Sequence, residues 1–128
     1  MWNIAPSLQM AKDQHWYAKK KPHELAAVMR NLQRYLMLLK ASKNSKCVQA
    51  GYLHPETMGV IAIDQRGFSG NLKETRLYVY PVDETKTVHL ITIGNKDEQH
   101  SDIEFCKEFV NSITATSAPS QTHTPKQP

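Results

Sequence analysis

The sequence of 128 residues is long enough for one compact domain, because a second hydrophobic core would need roughly 50 additional residues. Hydrophobic residues make up 40% of it and charged residues 22%, as in ordinary globular proteins, and no apolar run approaches the roughly 20 residues that cross a bilayer. The first residues lack the features of a secretory signal, so we expect a cytoplasmic protein without a membrane anchor. Cys47 and Cys106 lie in different segments without metal-ligand spacing, and we expect reduced thiols, with Cys106 packed in the interior.

The net charge of +4 is distributed unevenly along the chain. Residues 1–47 carry nine lysines and arginines against two acidic residues, whereas residues 48–114 carry six basic and ten acidic residues. Clustered positive charge attracts polyanions, so this pattern predicts a phosphate-rich or acidic partner for the first part of the chain. Helix surfaces that bind no partner are also rich in lysine, so the charge alone favours neither a polyanionic partner nor a solvated surface.

The first 41 residues predict one strand and two helices. We expect a strand at residues 2–5, a helix that begins at Pro6-Ser7 and ends near residue 20, and a longer helix from residue 22 to about residue 41. The longer helix is the better defined, because apolar residues recur in it at helical spacing: Leu25, Val28, Met29, Leu32, Tyr35, Leu36 and Leu39. Three aromatic residues have rings that can stack on bases, but they are predicted to belong to the core: Trp2, Trp16 and Tyr17.

Strands are predicted to dominate the middle of the chain. Extended segments are expected at residues 48–53, 59–64, 75–82 and 87–93, with the last two joined as a hairpin by a short polar connection. In the third segment, side-chain alternation places three residues on one face of the sheet: Arg76, Tyr78 and Tyr80. The sequence therefore predicts a polar and aromatic face that is available to a ligand.

A closing helix is predicted from residue 101, where Ser101 and Glu104 form a capping-box pattern. Residues 115–128 contain three prolines and no large apolar residue, so we expect a disordered polar tail. The predicted architecture is an α+β domain over residues 1–114. Its curved antiparallel sheet would have four or five strands, the two N-terminal helices on one face and the C-terminal helix near its edge.

The second half of the chain carries motifs that resemble the RelE/ParE superfamily of bacterial toxins. Residues 75–80 (TRLYVY) and 88–96 (VHLITIGNK) are similar to the paired central strands of that superfamily, in which one strand carries an arginine and the next ends in a glycine followed closely by a basic residue. Residues 96–103 (KDEQHSDI) are similar to the K-x-x-Q-x-x-D-I ending of some members. The resemblance covers residues 1–113 in layout and 66–103 in motif, and it implies a RelE-like fold.

The resemblance also implies chemistry, because RelE-like toxins are mRNA interferases, that is, endoribonucleases that act on ribosome-bound mRNA. Cleavage by the 2′-hydroxyl of the RNA needs a proton acceptor, cations for the charge on the phosphorus centre and a proton donor for the leaving oxygen. Arg76 matches the strand arginine of the family and is the expected phosphate clamp, with an ordinary ion pair to Glu74 or another carboxylate as the alternative. Lys96 matches the basic residue after the glycine and would face the phosphate, or would simply be solvated.

Proton transfer has less direct candidates. RelE-like enzymes often carry a tyrosine or histidine near the C-terminus, where this sequence is polar and of low complexity. His100 is the nearest substitute, and Tyr78 or Tyr80 is a second candidate from the sheet. His54 has no second ligand at metal spacing, so we interpret it as a turn residue and predict neither a metal nor a small-molecule cofactor.

RNA binding is assigned to basic residues outside the central strands. Arg66 and Lys73 flank a loop that contains glycine, and an ordinary strand connection explains that loop equally well. Arg30 and Arg34 fall mostly off the apolar stripe of the longer helix, so they are expected to face solvent or a partner.

Two functions from different classes remain open at this stage. The first is a RelE-like toxin of a type II toxin–antitoxin pair, a hydrolase that cleaves RNA without a metal. The second is a non-enzymatic binding protein of the same fold, either a ParE-like topoisomerase inhibitor or a degenerate member that binds only an antitoxin. In both cases the resemblance implies an acidic antitoxin as the protein partner.

Overall fold

The computed structural model of the protein describes residues 1–67 and 73–114. The elements in chain order are β1 (Asn3–Pro6), α1 (Leu8–Lys20), α2 (Pro22–Ala41), β2 (Leu53–Pro55), β3 (Ile61–Asp64), β4 (Thr75–Val82), β5 (Thr87–Asn95) and α3 (Gln99–Thr114). The predicted tail at residues 115–128 and most of the predicted glycine-containing loop lie outside the described residues. No helix within the described ranges is long and apolar enough to span a membrane.

The sheet has five strands in the order β1-β5-β4-β3-β2. Strands β2 to β5 pair antiparallel, whereas β1 pairs with β5 in parallel, with Asn3 opposite Thr87. A parallel pair requires a crossover, and α1 and α2 lie in the chain between these two strands. The α+β class is confirmed, but the prediction of a wholly antiparallel sheet is wrong because the first strand runs parallel to its neighbour.

A side-chain hydrogen bond joins the start of α1 to a β-bulge in β5. The pairing of β4 with β5 shifts after Tyr78, which lies opposite Thr92 while Val79 lies opposite Leu90, so Ile91 is the extra residue. The Ser7 hydroxyl donates to the Ile91 carbonyl at 2.6 Å and accepts from the backbone N–H of Met10 at 2.9 Å. One side chain therefore caps the helix and satisfies a carbonyl at the bulge.

Each face of the sheet has its own hydrophobic core. On one face, α1 and α2 cover Leu77 of β4 and Ile93 of β5, and the predicted apolar stripe of α2 supplies its buried residues: Val28, Leu32, Tyr35 and Leu39. On the other face, α3 covers Tyr78 with a layer that includes Cys106, which is fully buried as expected. The predicted position of α3 near the sheet edge is wrong, because α3 packs across the face that carries Tyr78. The prediction of an open polar face is wrong for the same reason, since the apolar side of α3 covers that face.

Element boundaries follow the sequence where local signals are strong. The bounds predicted for α2 and β4 are confirmed, but the predicted strand at residues 48–53 is wrong, since β2 begins only at Leu53. The capping box is formed by Asn95 and Glu98 at the end of β5, and α3 begins two residues earlier than predicted. The predicted box at Ser101 is therefore wrong, and its Glu104 instead pairs with Lys107 at 2.9 Å.

Candidate functional site

Arg76, the predicted phosphate clamp, lies on β4 with Asp64 of β3 and Gly94 of β5 as its cross-strand neighbours. One terminal nitrogen of its guanidinium is 3.5 Å from Glu56 Oε2 and the other is 3.4 Å from Glu74 Oε2. The side chain is 18% exposed, and its Nε has no hydrogen-bond partner among residues 1–67 and 73–114. An anion that binds Arg76 must therefore compete with two carboxylates, one of which is the ion-pair alternative predicted from the sequence.

A histidine and an aspartate lie beside Arg76 on the same face of the sheet. His54 Nε2 of β2 is 2.6 Å from Asp64 Oδ2, and the other oxygen of that carboxylate accepts the backbone N–H of Arg66 at 2.7 Å. The tautomer that donates from Nε2 leaves a lone pair on Nδ1, which makes no hydrogen bond to the described part of the chain. The prediction of a turn residue at His54 is wrong, because His54 belongs to a strand and has a carboxylate partner.

A buried amide from α2 holds this corner of the sheet in place. Asn31 is fully buried, and its Nδ2 donates to the carbonyl oxygens of Asp64 and Arg66, each at 2.9 Å. Its Oδ1 accepts from Arg34 at 3.2 Å. A buried side chain with all of these contacts fixes the end of β3 and hence the carboxylate that orients His54.

Two of the predicted RNA-binding arginines meet at the turn after β3. The side chain of Arg66 is 63% exposed, and one of its terminal nitrogens lies 3.8 Å from Asp64 Oδ2. The next residue, Gly67, has a φ of 100°, and a Cβ built there would lie 3.4 Å from a terminal nitrogen of Arg34. The structure thus brings Arg34 and Arg66 together at the turn that follows Asp64, whereas Arg30 is exposed nearer the start of α2.

The predicted proton-transfer residues have contrasting environments. Tyr78 is fully buried beneath α3, and burial is the main reason that its pKa lies well above the ordinary value. Lys96 and His100 are exposed and follow β5, close in sequence to the cross-strand neighbour of Arg76. Tyr78 therefore cannot reach a ligand in this conformation, while Lys96 and His100 can.

Gly94 in the motif at the end of β5 has a packing role. A Cβ built at this position would lie 2.0 Å from Asp102 Oδ2 and 3.0 Å from Asp102 Cγ. Asp102 is a fully buried residue of α3, so the absence of a side chain at position 94 allows the helix to approach the strand. The glycine that carries the resemblance is thus required by the contact between β5 and α3.

A cleft of about 650 Å³ lies between α1 and the same end of the sheet. Its lining residues are Gln9, Lys12, Asp13, Trp16, Tyr17, Lys21, Lys73, Thr75, Ile93, Asn95, Glu98 and Ser101. The side chain of Trp16 is about half exposed and meets the ring of the buried Tyr17 edge-on, with 5.0 Å between centroids. The prediction that Trp16 belongs to the core is wrong, and Lys73 lies in this cleft away from the two arginines beside the His54–Asp64 pair.

Sequence reasoning missed both the His54–Asp64 pair and the cleft. The pair joins His54 of β2 to Asp64 of β3, ten positions later, and the three residues of β2 are too few to show an alternation pattern. The lysines of the cleft come from α1, its C-terminal end and the segment before β4. The uneven charge of the chain signalled Lys12 and Lys21, and Lys73 was predicted to bind RNA beside the glycine-containing loop.

Comparison with known proteins does not assign the chain to a family. No family model matches the chain. The chain is similar to the argininosuccinate lyases of Staphylococcus aureus strains JH9, Newman and N315, with 25% identity over 135 aligned residues. The similarity covers 84% of the chain but only 29% of each lyase, so the chain spans less than a third of the length of these relatives. Identity at this level establishes neither a family nor an activity.

Proposed function

We propose that the chain is a RelE-like toxin that cleaves ribosome-bound mRNA without a metal ion. The observation that carries the proposal is the position of the His54–Asp64 pair beside Arg76 on neighbouring strands of one sheet face. A histidine held by a carboxylate can accept a proton, and an arginine can stabilise the negative charge of a phosphate in a transition state. These are two of the three groups that RNA cleavage needs.

In the proposed reaction, Nδ1 of His54 takes the proton of a ribose 2′-hydroxyl, and the 2′-oxygen attacks the adjacent phosphorus. Arg76 exchanges its carboxylate contacts for the phosphate oxygens, on which charge accumulates. The bond from phosphorus to the 5′-oxygen breaks, and that oxygen receives a proton from His100 or from water. The products are a 2′,3′-cyclic phosphate and a 5′-hydroxyl, and Lys96 adds positive charge near the phosphate.

Exposed cations near the site support an RNA ligand. Arg66 is mostly exposed beside the His54–Asp64 pair, and Arg34 lies next to the same turn. Arginine contacts phosphates with a planar fork, so these two side chains can bind the RNA backbone next to the scissile phosphate. The same basic surface suits an acidic antitoxin, whose charge would speed association and whose binding would cover the site.

A specific observation favours the second candidate, a binding protein of the same fold. Arg76 already has carboxylate neighbours at 3.5 and 3.4 Å, and Tyr78 is sealed beneath α3. A ParE-like topoisomerase inhibitor or a member that binds only an antitoxin would need neither residue exposed. Cleavage activity is the property that separates the two candidates.

The experiment is cleavage of a defined mRNA on purified ribosomes, with wild type, Arg76→Ala and Arg76→Lys in parallel. Arg76→Ala should be about 100-fold slower, the scale for losing one well-placed charge donor, and Arg76→Lys should recover only part of the rate because it lacks the planar fork. Cleavage should survive EDTA and leave cyclic phosphate ends. A wild type that cleaves nothing, with or without ribosomes, would refute the nuclease and leave the binding protein.

A further inference from the structure

The cleft between α1 and the end of the sheet is lined by three lysines and two carboxylates. It presents the lysines Lys12, Lys21 and Lys73, and no ion pair within residues 1–67 and 73–114 joins any of them to a carboxylate. These ammonium groups come from three separate segments and share one cavity. Lysine is a compact, strongly charged donor that suits phosphate oxygens.

The two carboxylates of the cleft are already bound to protein donors. Asp13 accepts from the Thr92 hydroxyl, from the backbone N–H of Ile93 at 3.1 Å and from the Gln9 amide at 2.8 Å. Glu98 accepts the backbone N–H of Asn95 at 3.1 Å as part of the capping box. These hydrogen bonds hold both carboxylates against the protein without cancelling their charge, so a phosphate in the cleft depends on the three lysines for its contacts.

The cleft also offers an aromatic surface and a buried polar atom. Trp16 is 49% exposed, and its ring meets the Tyr17 ring edge-on in the cleft lining. Gln9 is buried in the cleft lining, and its Oε1 has no hydrogen-bond partner within the described ranges. A ring that can stack, together with a polar group that can bond to a base edge, is the combination that proteins use on unpaired nucleotides.

We propose that this cleft binds a segment of single-stranded RNA, with phosphates on Lys12, Lys21 and Lys73 and one base stacked on Trp16. The inference rests on the proposed function and extends it, because it names a second contact site for the substrate strand. The cleft and Arg76 lie at the same end of the sheet, since Thr75 and Asn95 line the cleft and are paired across β4 and β5. A volume of about 650 Å³ is within the range of small-ligand sites and accommodates a nucleotide.

An acidic peptide is the competing ligand for three lysines. It would use the charges but would gain little from an exposed indole, whereas every base has a flat face that stacks on one. The exposed tryptophan therefore favours RNA. Polyglutamate serves as the probe for the alternative.

The test measures binding of a fluorescein-labelled 2′-fluoro oligoadenylate of eight nucleotides, which the 2′-hydroxyl mechanism cannot cleave. The triple variant Lys12→Ala, Lys21→Ala, Lys73→Ala should bind at least tenfold more weakly and should reduce the slope of log K against log salt by about 2. The matched control is Lys40→Ala, Lys43→Ala, Lys46→Ala, which removes the same charge from exposed lysines outside the cleft and should stay within twofold of wild type. Equal losses in the two triple variants would overturn the proposal.

Stacking is tested separately in a Trp2→Phe background, where Trp16 is the only tryptophan. The oligonucleotide should quench its fluorescence, Trp16→Ala should weaken binding about tenfold, and Trp16→Phe should recover most of the affinity. Absence of quenching, or polyglutamate binding as tight as the oligonucleotide, would overturn the RNA assignment. Because the probe cannot be cleaved, a failure here leaves the ribosomal cleavage assay unaffected, and a failure of cleavage leaves this binding measurement intact.

Discussion

Replacement of Gly94 by alanine tests the close contact between β5 and α3, which allows α3 to cover the face of the sheet that carries Tyr78. The added Cβ would lie 2.0 Å from Asp102 Oδ2, closer than real Cβ contacts, and Asp102 is fully buried. The backbone of Gly94 has no left-handed φ, so alanine itself fits the strand and the cost comes from the collision. Either the carboxylate leaves its place or α3 moves away from the sheet.

Overpacking of a well-packed interior costs about 1–3 kcal/mol, and displacing a buried carboxylate adds to it, so we expect Gly94→Ala to destabilise the fold by about 3 kcal/mol. For a domain of this size that corresponds to a fall in Tm of roughly 10–15 °C. Urea unfolding of wild type, Gly94→Ala, Asp102→Ala and the double variant measures it, and the double variant should lose less than the sum of the two single losses. An unchanged Tm for Gly94→Ala would refute the close approach of helix and strand.

Three further outcomes follow from other contacts. Ser7→Ala should cost about 2 kcal/mol in urea unfolding, because it removes the helix cap and a hydrogen bond to the Ile91 carbonyl. Burial lowers the pKa of His89 below its ordinary value of 6.5, so the unfolded chain binds more protons than the folded chain at slightly acidic pH. The free energy of unfolding should therefore fall as the pH drops below about 6.5. Thermal scans of His89→Gln should show a flatter dependence of Tm on pH. Lys96→Ala should slow ribosomal cleavage less than Arg76→Ala does, because neighbouring cations can replace an exposed ammonium; an equal loss would contradict this ranking.

Sequence patterns predicted those parts of the fold whose signals are local. The apolar stripe of α2 and the alternation of β4 each extend over several residues, and both elements have the predicted bounds. The direction of β1 could not be predicted, since the pattern of a four-residue strand does not specify its direction and its partner lies more than 80 residues away. The place of α3 was missed for a related reason, because an amphipathic helix indicates that one side is buried without indicating which surface covers it.

The candidate site was predicted only in part, because its chemistry depends on contacts between distant residues. The sequence motif pointed to Arg76, but its distances to Glu56 and Glu74 depend on the arrangement of strands. Nothing in the sequence indicated a role for His54, since a histidine before a proline is also typical of a turn. Its role emerges only from the 2.6 Å contact between His54 Nε2 and Asp64 Oδ2. Pairing across a sheet is the information that a single sequence lacks.

The most direct test of the account is the single-turnover rate of mRNA cleavage on ribosomes by His54→Ala, compared with His23→Ala as a matched control on the exposed start of α2. If His54 accepts the 2′-hydroxyl proton, its loss should slow cleavage by about 10²–10⁴-fold, the usual contribution of general base catalysis, while His23→Ala keeps the wild-type rate. Both variants should unfold at the wild-type Tm within a few degrees. A His54→Ala variant that folds and cleaves at the wild-type rate would contradict the proposed role of the His54–Asp64 pair.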